Sequence, residues 1–139
     1  MSEQIENSRL QESPYNTCYI LLDYADRQVL YERIDRRVEQ MLENGLIDEA
    51  RRFSHSEGLK TSGNAIGYKE LSPYFLGKAS FDSCVDSLKR ATRRYAKRQI
   101  SWFKRREGAV KLAPDSFVSF EELVRAAEQT VRTFLQKEE

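Results

Sequence analysis

The chain has 139 residues, 40% of them hydrophobic, with 23 Lys and Arg against 22 Asp and Glu and a formal net charge of +1. This is enough for one modest core, or for part of a larger domain. No apolar run is long enough to cross a bilayer and no signal-peptide pattern is present, which argues against a membrane protein.

Residues 1–16 are polar and weakly patterned and read as a flexible leader. Cys18–Leu22 (CYILL) is a short apolar run suited to a strand buried on both faces. Its only possible partners in the chain, Val110–Leu112 and Phe117–Val118, are weak, and a lone strand is not stable. The run is therefore either an extended arm or first helical turn or, as preferred here, a strand of a sheet not present in this chain. A helix is expected from Asp26 to about Glu43, opened by Asp23 or Asp26 and stopped by Gly45. A second, short helix follows from about Ile47 to Ser56, then a polar loop from Gly58 to Asn64. Ala65–Leu76 looks helical, with Pro73 expected to kink or break it and Gly77 to close it.

Ser80 suits the N-cap of a long helix of about 25 residues, roughly 37 Å, ending near Arg106. Ser119 and Glu122 form a capping-box pattern before a last amphipathic helix with Phe120, Leu123, Ala127, Val131 and Phe134 inward. The expected organisation is thus a leader (1–16), a mainly helical unit (17–113) and a C-terminal helix (114–139) packed on that unit. Cys18 and Cys84 have no partner at metal-ligand spacing and no export signal, so they read as reduced cytoplasmic thiols. His55, the only histidine, reads as a surface helix residue, and neither a zinc site nor a Ser/His/Asp arrangement can be assembled.

The stretch Lys89–Arg106, KRATRRYAKRQISWFKRR, holds nine basic residues and no acidic one, so the acidic excess lies elsewhere. At 100° per residue, Arg90, Arg94, Lys97, Ser101 and Lys104 share one line, flanked by Arg93, Arg98 and Arg105. Ala91, Tyr95, Gln99, Trp102 and Phe103 fall on the other side and are expected to pack on a core. A basic helix face is often only a solvated face, but such faces usually mix signs, because like charges at i,i+4 repel. Phosphates would relieve this repulsion, and arginine's fork suits phosphate oxygens. A nucleic acid is the favoured partner, with a membrane surface as the main rival.

Two further features concern anions. In the first helix, Leu30, Ile34, Val38 and Met41 trace an apolar stripe, and Arg37 projects within it, about 20° from Leu30. A guanidinium there needs either an internal carboxylate or an anionic ligand such as a diphosphate. Thr61-Ser62-Gly63-Asn64, leading through Gly67 to Lys69, could bring backbone amides to a phosphate, although an ordinary helix-entry turn is the simpler reading. Neither GxxxxGK[ST] nor GxGxxG occurs.

AIGYKEL (65–71), YFLGKAS (74–80), ATRRYAKRQISWFKR (91–105) and the upstream DRQVLYERIDRRVEQMLENGLIDEA (26–50) resemble, in this order, the C-terminal part of bacterial tRNA dimethylallyltransferases. The resemblance covers about residues 17–113. It implies the helical C-terminal portion of a P-loop α/β transferase, with the strand near 18–22 left from its sheet. It further implies transfer of a dimethylallyl group from dimethylallyl diphosphate to the exocyclic amine of the adenine next to the tRNA anticodon.

By the same resemblance Arg37 contacts the diphosphate, and Ala91, Thr92, Arg93, Arg94, Tyr95, Ala96, Lys97 and Arg98 contact the tRNA anticodon arm. Thr61, Ser62, Gly63 and Asn64 are implied as tRNA contacts too. Magnesium belongs to the full enzyme and none is expected on this chain alone. The family's phosphate loop, catalytic aspartate and inserted anticodon-clasping domain lie in an N-terminal part that this sequence does not contain, so the chain alone is expected to be inactive. The other readings are a stand-alone helical RNA-binding module, a helical domain that binds an acidic protein, and a helix-turn-helix DNA reader, for which the basic helix is too long and too uniformly charged.

Overall fold

The computed structural model describes residues 15–54 and 65–136. In chain order these form β1 (Ile20–Leu22), α1 (Arg27–Met41), α2 (Ile47–Ser54), α3 (Tyr68–Phe75), α4 (Phe81–Phe103), β2 (Val110–Leu112) and α5 (Phe120–Gln136). The loop from Gly58 to Asn64, with His55, lies outside the described residues.

Local chemistry sets the helix ends. The Asp26 carboxylate accepts from the Gln28 amide at 2.7 Å and opens α1. Regular helix stops at Met41. A wide turn over Leu42–Leu46 carries Gly45 at φ 95°, a left-handed conformation that strains residues with a Cβ, and α2 starts directly afterwards. In α3 the Glu70 carboxylate accepts from the Gly67 amide at 3.0 Å.

Of the two outcomes expected at Pro73, a kink or a break, the break does not occur. Pro73 lies in the last turn, where it removes one intrahelical hydrogen bond, and the helix runs two residues further. The amides of Gly77 and Lys78 then bond back to the carbonyls of Tyr74 (3.0 Å) and Pro73 (2.8 Å), closing the end. The hydroxyl of Ser80 accepts from the Ser83 amide at 3.3 Å, which makes it the expected cap of α4.

Helices α1–α4 meet around Val38, Leu46, Ala50, Leu71, Cys84 and Leu88, with Met41, Leu42, Tyr68, Phe75, Ala79 and Phe81 packed against them. Two ion pairs stitch α1 to α4: Asp35–Arg93 at 2.8 Å and Glu39–Lys89 at 2.7 Å.

The expected strand forms at Ile20–Leu22, but the reading of Val110–Leu112 as too weak to partner it needs correction: β1 pairs in parallel with β2, with Ile20 opposite Val110 and Leu22 opposite Leu112. Each strand is only three residues long, and the whole run α1–α4 is the crossover between them, so no local pattern announces the pairing. Phe117–Val118 forms no strand. Asp115 reinforces the junction by accepting from the amides of Ala25 (2.8 Å) and Asp26 (2.7 Å), which holds its carboxyl below the usual range and ties the exit of β2 to the start of α1.

The capping box of α5 is half formed. Ser119 Oγ accepts from the Glu122 amide at 3.3 Å, but the Glu122 carboxylate takes the Val118 amide instead of that of Ser119. On the predicted inner face Leu123, Ala127 and Phe134 are half-buried, whereas Phe120 and Val131 are exposed. A single short strand, β2, is the main surface on which α5 rests, and it cannot cover the whole stripe.

Candidate nucleic-acid interface

Helix α4 has an inner and an outer side because of where its apolar residues fall. Cys84, Leu88 and Ala91 are buried against the core. Arg90, Arg94, Lys97, Arg98 and Arg105 are exposed, and no carboxylate among the described residues pairs with them.

The other cations of the segment are committed. Lys89 binds Glu39, whose hydrogen bond holds the ammonium above its ordinary pKa. Arg93 sends one guanidinium nitrogen to both Asp35 oxygens (2.9 and 2.8 Å) and lies 5.7 Å from the Tyr31 ring centre. Lys104, beyond the end of α4, reaches Asp23 Oδ2 at 2.8 Å, and Lys111 from β2 reaches the same oxygen at 3.2 Å. Burial pushes the Asp23 carboxyl up, but the two ammonium groups outweigh it and hold the pKa below the ordinary value. Arg106 lies over the rings of Tyr19 (5.4 Å) and Trp102 (5.3 Å).

The sequence-predicted RNA contacts on α4 differ in exposure. Ala91 is buried at 7% exposure and serves packing, so its side chain offers nothing to a ligand. Thr92 is half-buried and its hydroxyl donates back to the Leu88 carbonyl at 2.9 Å. Arg93 is half-buried on Asp35. Ala96 is half-buried, and Arg94, Tyr95, Lys97 and Arg98 are exposed. The expectation that Tyr95, Gln99, Trp102 and Phe103 pack inward is also corrected: all four are exposed, and the buried residues of the helix end at Ala91, while Gln99 and Phe103 line a cleft with β1.

Thr61, Ser62, Gly63 and Asn64 lie outside the described residues. Not foreseen in the sequence is a groove between α3 and α4 that Lys69 and Glu70 line together with Ser83, Ser87, Arg90 and Arg94. Lys69 belongs to no basic run, so only the packing of α3 on α4 reveals it.

Arg37 is also placed differently from the expectation. The buried stripe of α1 is centred between Ile34 and Val38, and Arg37 is exposed beyond its edge. It lines a small polar pocket with Arg33, Arg36 and Gln40, and no carboxylate pairs with it among the described residues. Four side chains at i, i+3, i+4 and i+7 thus form an anion-receptive outer face. No group of three or more His, Cys, Asp or Glu among the described residues could hold a metal ion. No helix among them is long and apolar enough to cross a membrane.

A family model described as IPP transferase matches residues 1–106. The chain belongs to the IPP transferase family. It is 50% identical over 95 residues to a tRNA dimethylallyltransferase of Streptococcus agalactiae, an alignment covering 68% of this chain and 32% of that protein. To the corresponding protein of Halalkalibacterium halodurans it is 46% identical over 106 residues, 75% of this chain and 33% of the relative. The chain therefore spans about a third of the length of the curated relatives it matches.

Among solved structures, the full-length tRNA isopentenylpyrophosphate transferase of Bacillus halodurans superposes with a TM-score of 0.80 at 38% identity, over 97% of this chain and 43% of that one. The Staphylococcus epidermidis enzyme gives 0.75 at 34% identity, over 86% and 39%. The resemblance carried by AIGYKEL and the arginine-rich motif thus agrees with family, relatives and fold.

Proposed function

We propose that this IPP transferase chain contributes the RNA grip and a diphosphate contact to dimethylallyl transfer onto the adenine beside the tRNA anticodon. One observation carries the reading. Three cations of the basic segment are absorbed by Asp23, Asp35 and Glu39, yet the outer line Arg90, Arg94, Lys97, Arg98 and Arg105 meets no carboxylate among the described residues. Such a face repels itself until phosphates arrive. Its contacts would position the anticodon arm, and base choice would be made elsewhere.

In the transfer, the adenine amine forms a bond to the allylic carbon while the carbon–oxygen bond to diphosphate breaks. The amine proton passes to a base, and the electron pair leaves with diphosphate. Arg37, exposed in its polar pocket with Arg33 and Arg36, is suited to receive that growing negative charge. The sequence holds no phosphate-loop motif, so we infer that the phosphate cradle and the base come from outside these residues and that the chain alone does not transfer.

The test is binding of an anticodon stem–loop across a salt series. With about four or five phosphates engaged, log K should fall with log salt at a slope of roughly −3 to −5. Arg94→Ala should weaken binding without changing stability. Arg93→Ala should instead cost about 1 kcal/mol of stability with little effect on the slope, since its charge is already paired. A flat salt dependence, or equal effects of the two variants on binding, would overturn the reading. The stand-alone RNA-module alternative predicts the same binding, but no prenyl transfer when the rest of an IPP transferase is supplied as a separate chain.

A further inference from the structure

Trp102, the only tryptophan in the chain, sits in the last turn of α4 and is 54% exposed. Neighbouring Phe103 and Ile100 line an apolar cleft against β1, but Trp102 lines a different one, formed with Lys97, Arg98, Ser101 and Arg105. Its ring is held edge-on against Phe103 (centroids 4.8 Å apart, 88° between planes) and by Arg106 at 5.3 Å. Tyr95, 45% exposed, lies nearby in sequence with Arg98 over its ring at 5.7 Å. The cleft thus combines a fixed, solvent-facing aromatic ring with three cations and no carboxylate.

A protein partner gripping such a tryptophan would normally surround it with apolar groups and keep charges to the rim. Here the cations line the site itself. The ligand that answers both features carries a flat π-face one bond network away from an anion, which is a nucleotide with an unstacked base. We propose that Trp102 is a base-stacking site for an unpaired nucleotide of bound RNA, whose flanking phosphates are taken by Lys97, Arg98 and Arg105. This rests on the proposed RNA role of α4 and adds to it a contact that is not electrostatic.

Because Trp102 is the only tryptophan, its emission reports the site alone. An anticodon stem–loop should quench that emission on binding. A fully paired hairpin with the same number of phosphates should bind, by anisotropy of a labelled RNA, without comparable quenching. Trp102→Ala should weaken stem–loop binding roughly tenfold or more with an unchanged salt slope, and Trp102→Phe should recover part of the loss; circular dichroism would show that both variants are folded. Stem–loop binding without quenching, or with Trp102→Ala at full affinity, overturns the stacking site and leaves the phosphate grip standing. Quenching by an acidic peptide as strong as by the stem–loop would reassign the cleft to a protein and also overturn it. Failure of both RNAs to bind would sink this site together with the function on which it rests.

Discussion

Asp23 holds the C-terminal end of β1 to the end of α4 and to β2 through one oxygen, at 1% exposure. Its other oxygen, also buried, has no hydrogen-bond partner. Burial alone would favour the protonated acid, but Lys104 and Lys111 reverse the balance, so the folded pKa lies below the unfolded one. A depressed carboxylate pKa stabilises the fold above the unfolded pKa, and this contribution is lost as pH falls through the folded value. Asp23→Asn should therefore destabilise the chain at pH 7 by about 1–3 kcal/mol, since both lysines can still reach water. It should also flatten the stability loss below about pH 4. Urea unfolding of both proteins between pH 2 and 7 checks this, and parallel curves would show that the carboxylate charge is not the cause. Nothing in the sequence marks Asp23 for this role, because its partners lie some eighty residues away in the chain. Arg37 was misplaced for a related reason: a wheel counted from Leu30 finds the stripe, but only the packing partner decides that its centre lies between Ile34 and Val38.

Elements bounded by strong local chemistry were legible. Asp26, Gly45 and Ser80 each act where the sequence placed them, because a cap or a left-handed turn is decided within four residues. The far end of α4 was not, since no Gly or Pro interrupts Lys89–Arg106; the helix ends at Phe103, before Lys104 turns to Asp23. Gly67, inside the AIGYKEL motif, holds φ 112° and ψ −56° at the entry of α3, a region that other residues avoid. A Cβ there would meet Leu46 Cδ1 at an ordinary 3.6 Å, so backbone strain alone sets the penalty. Gly67→Ala should cost about 1–3 kcal/mol, seen as a lower urea midpoint with an unchanged denaturant slope. A shift below about 0.5 kcal/mol would mean that α3 can enter its turn another way.

At the scale of the whole molecule, buried apolar side chains are concentrated where α1–α4 meet, and no residue of α5 is buried. Val118, Phe120 and Leu135 stand largely exposed, and the two strands share only a three-residue ladder. Local stability follows buried contacts, so the molecule should not open as one unit. The ion pairs Asp35–Arg93 and Glu39–Lys89 place the first half of α4 inside the firm part. Its last turns, with Trp102, and Arg105 just beyond them belong to the looser part that β1 and Asp23 hold. Amide hydrogen exchange should then show the slowest exchange at Ile34–Val38, Leu71 and Cys84–Ala91, faster exchange from Ser101 onward, and the fastest helical exchange in α5. Bound RNA should raise protection most in the last turns of α4, where the ligand would supply the packing that the core does not reach. Uniform protection across α4 and α5 in the free chain would show that the terminal helix and strand pair fold with the core, and that the RNA-facing turns need no ligand to become rigid.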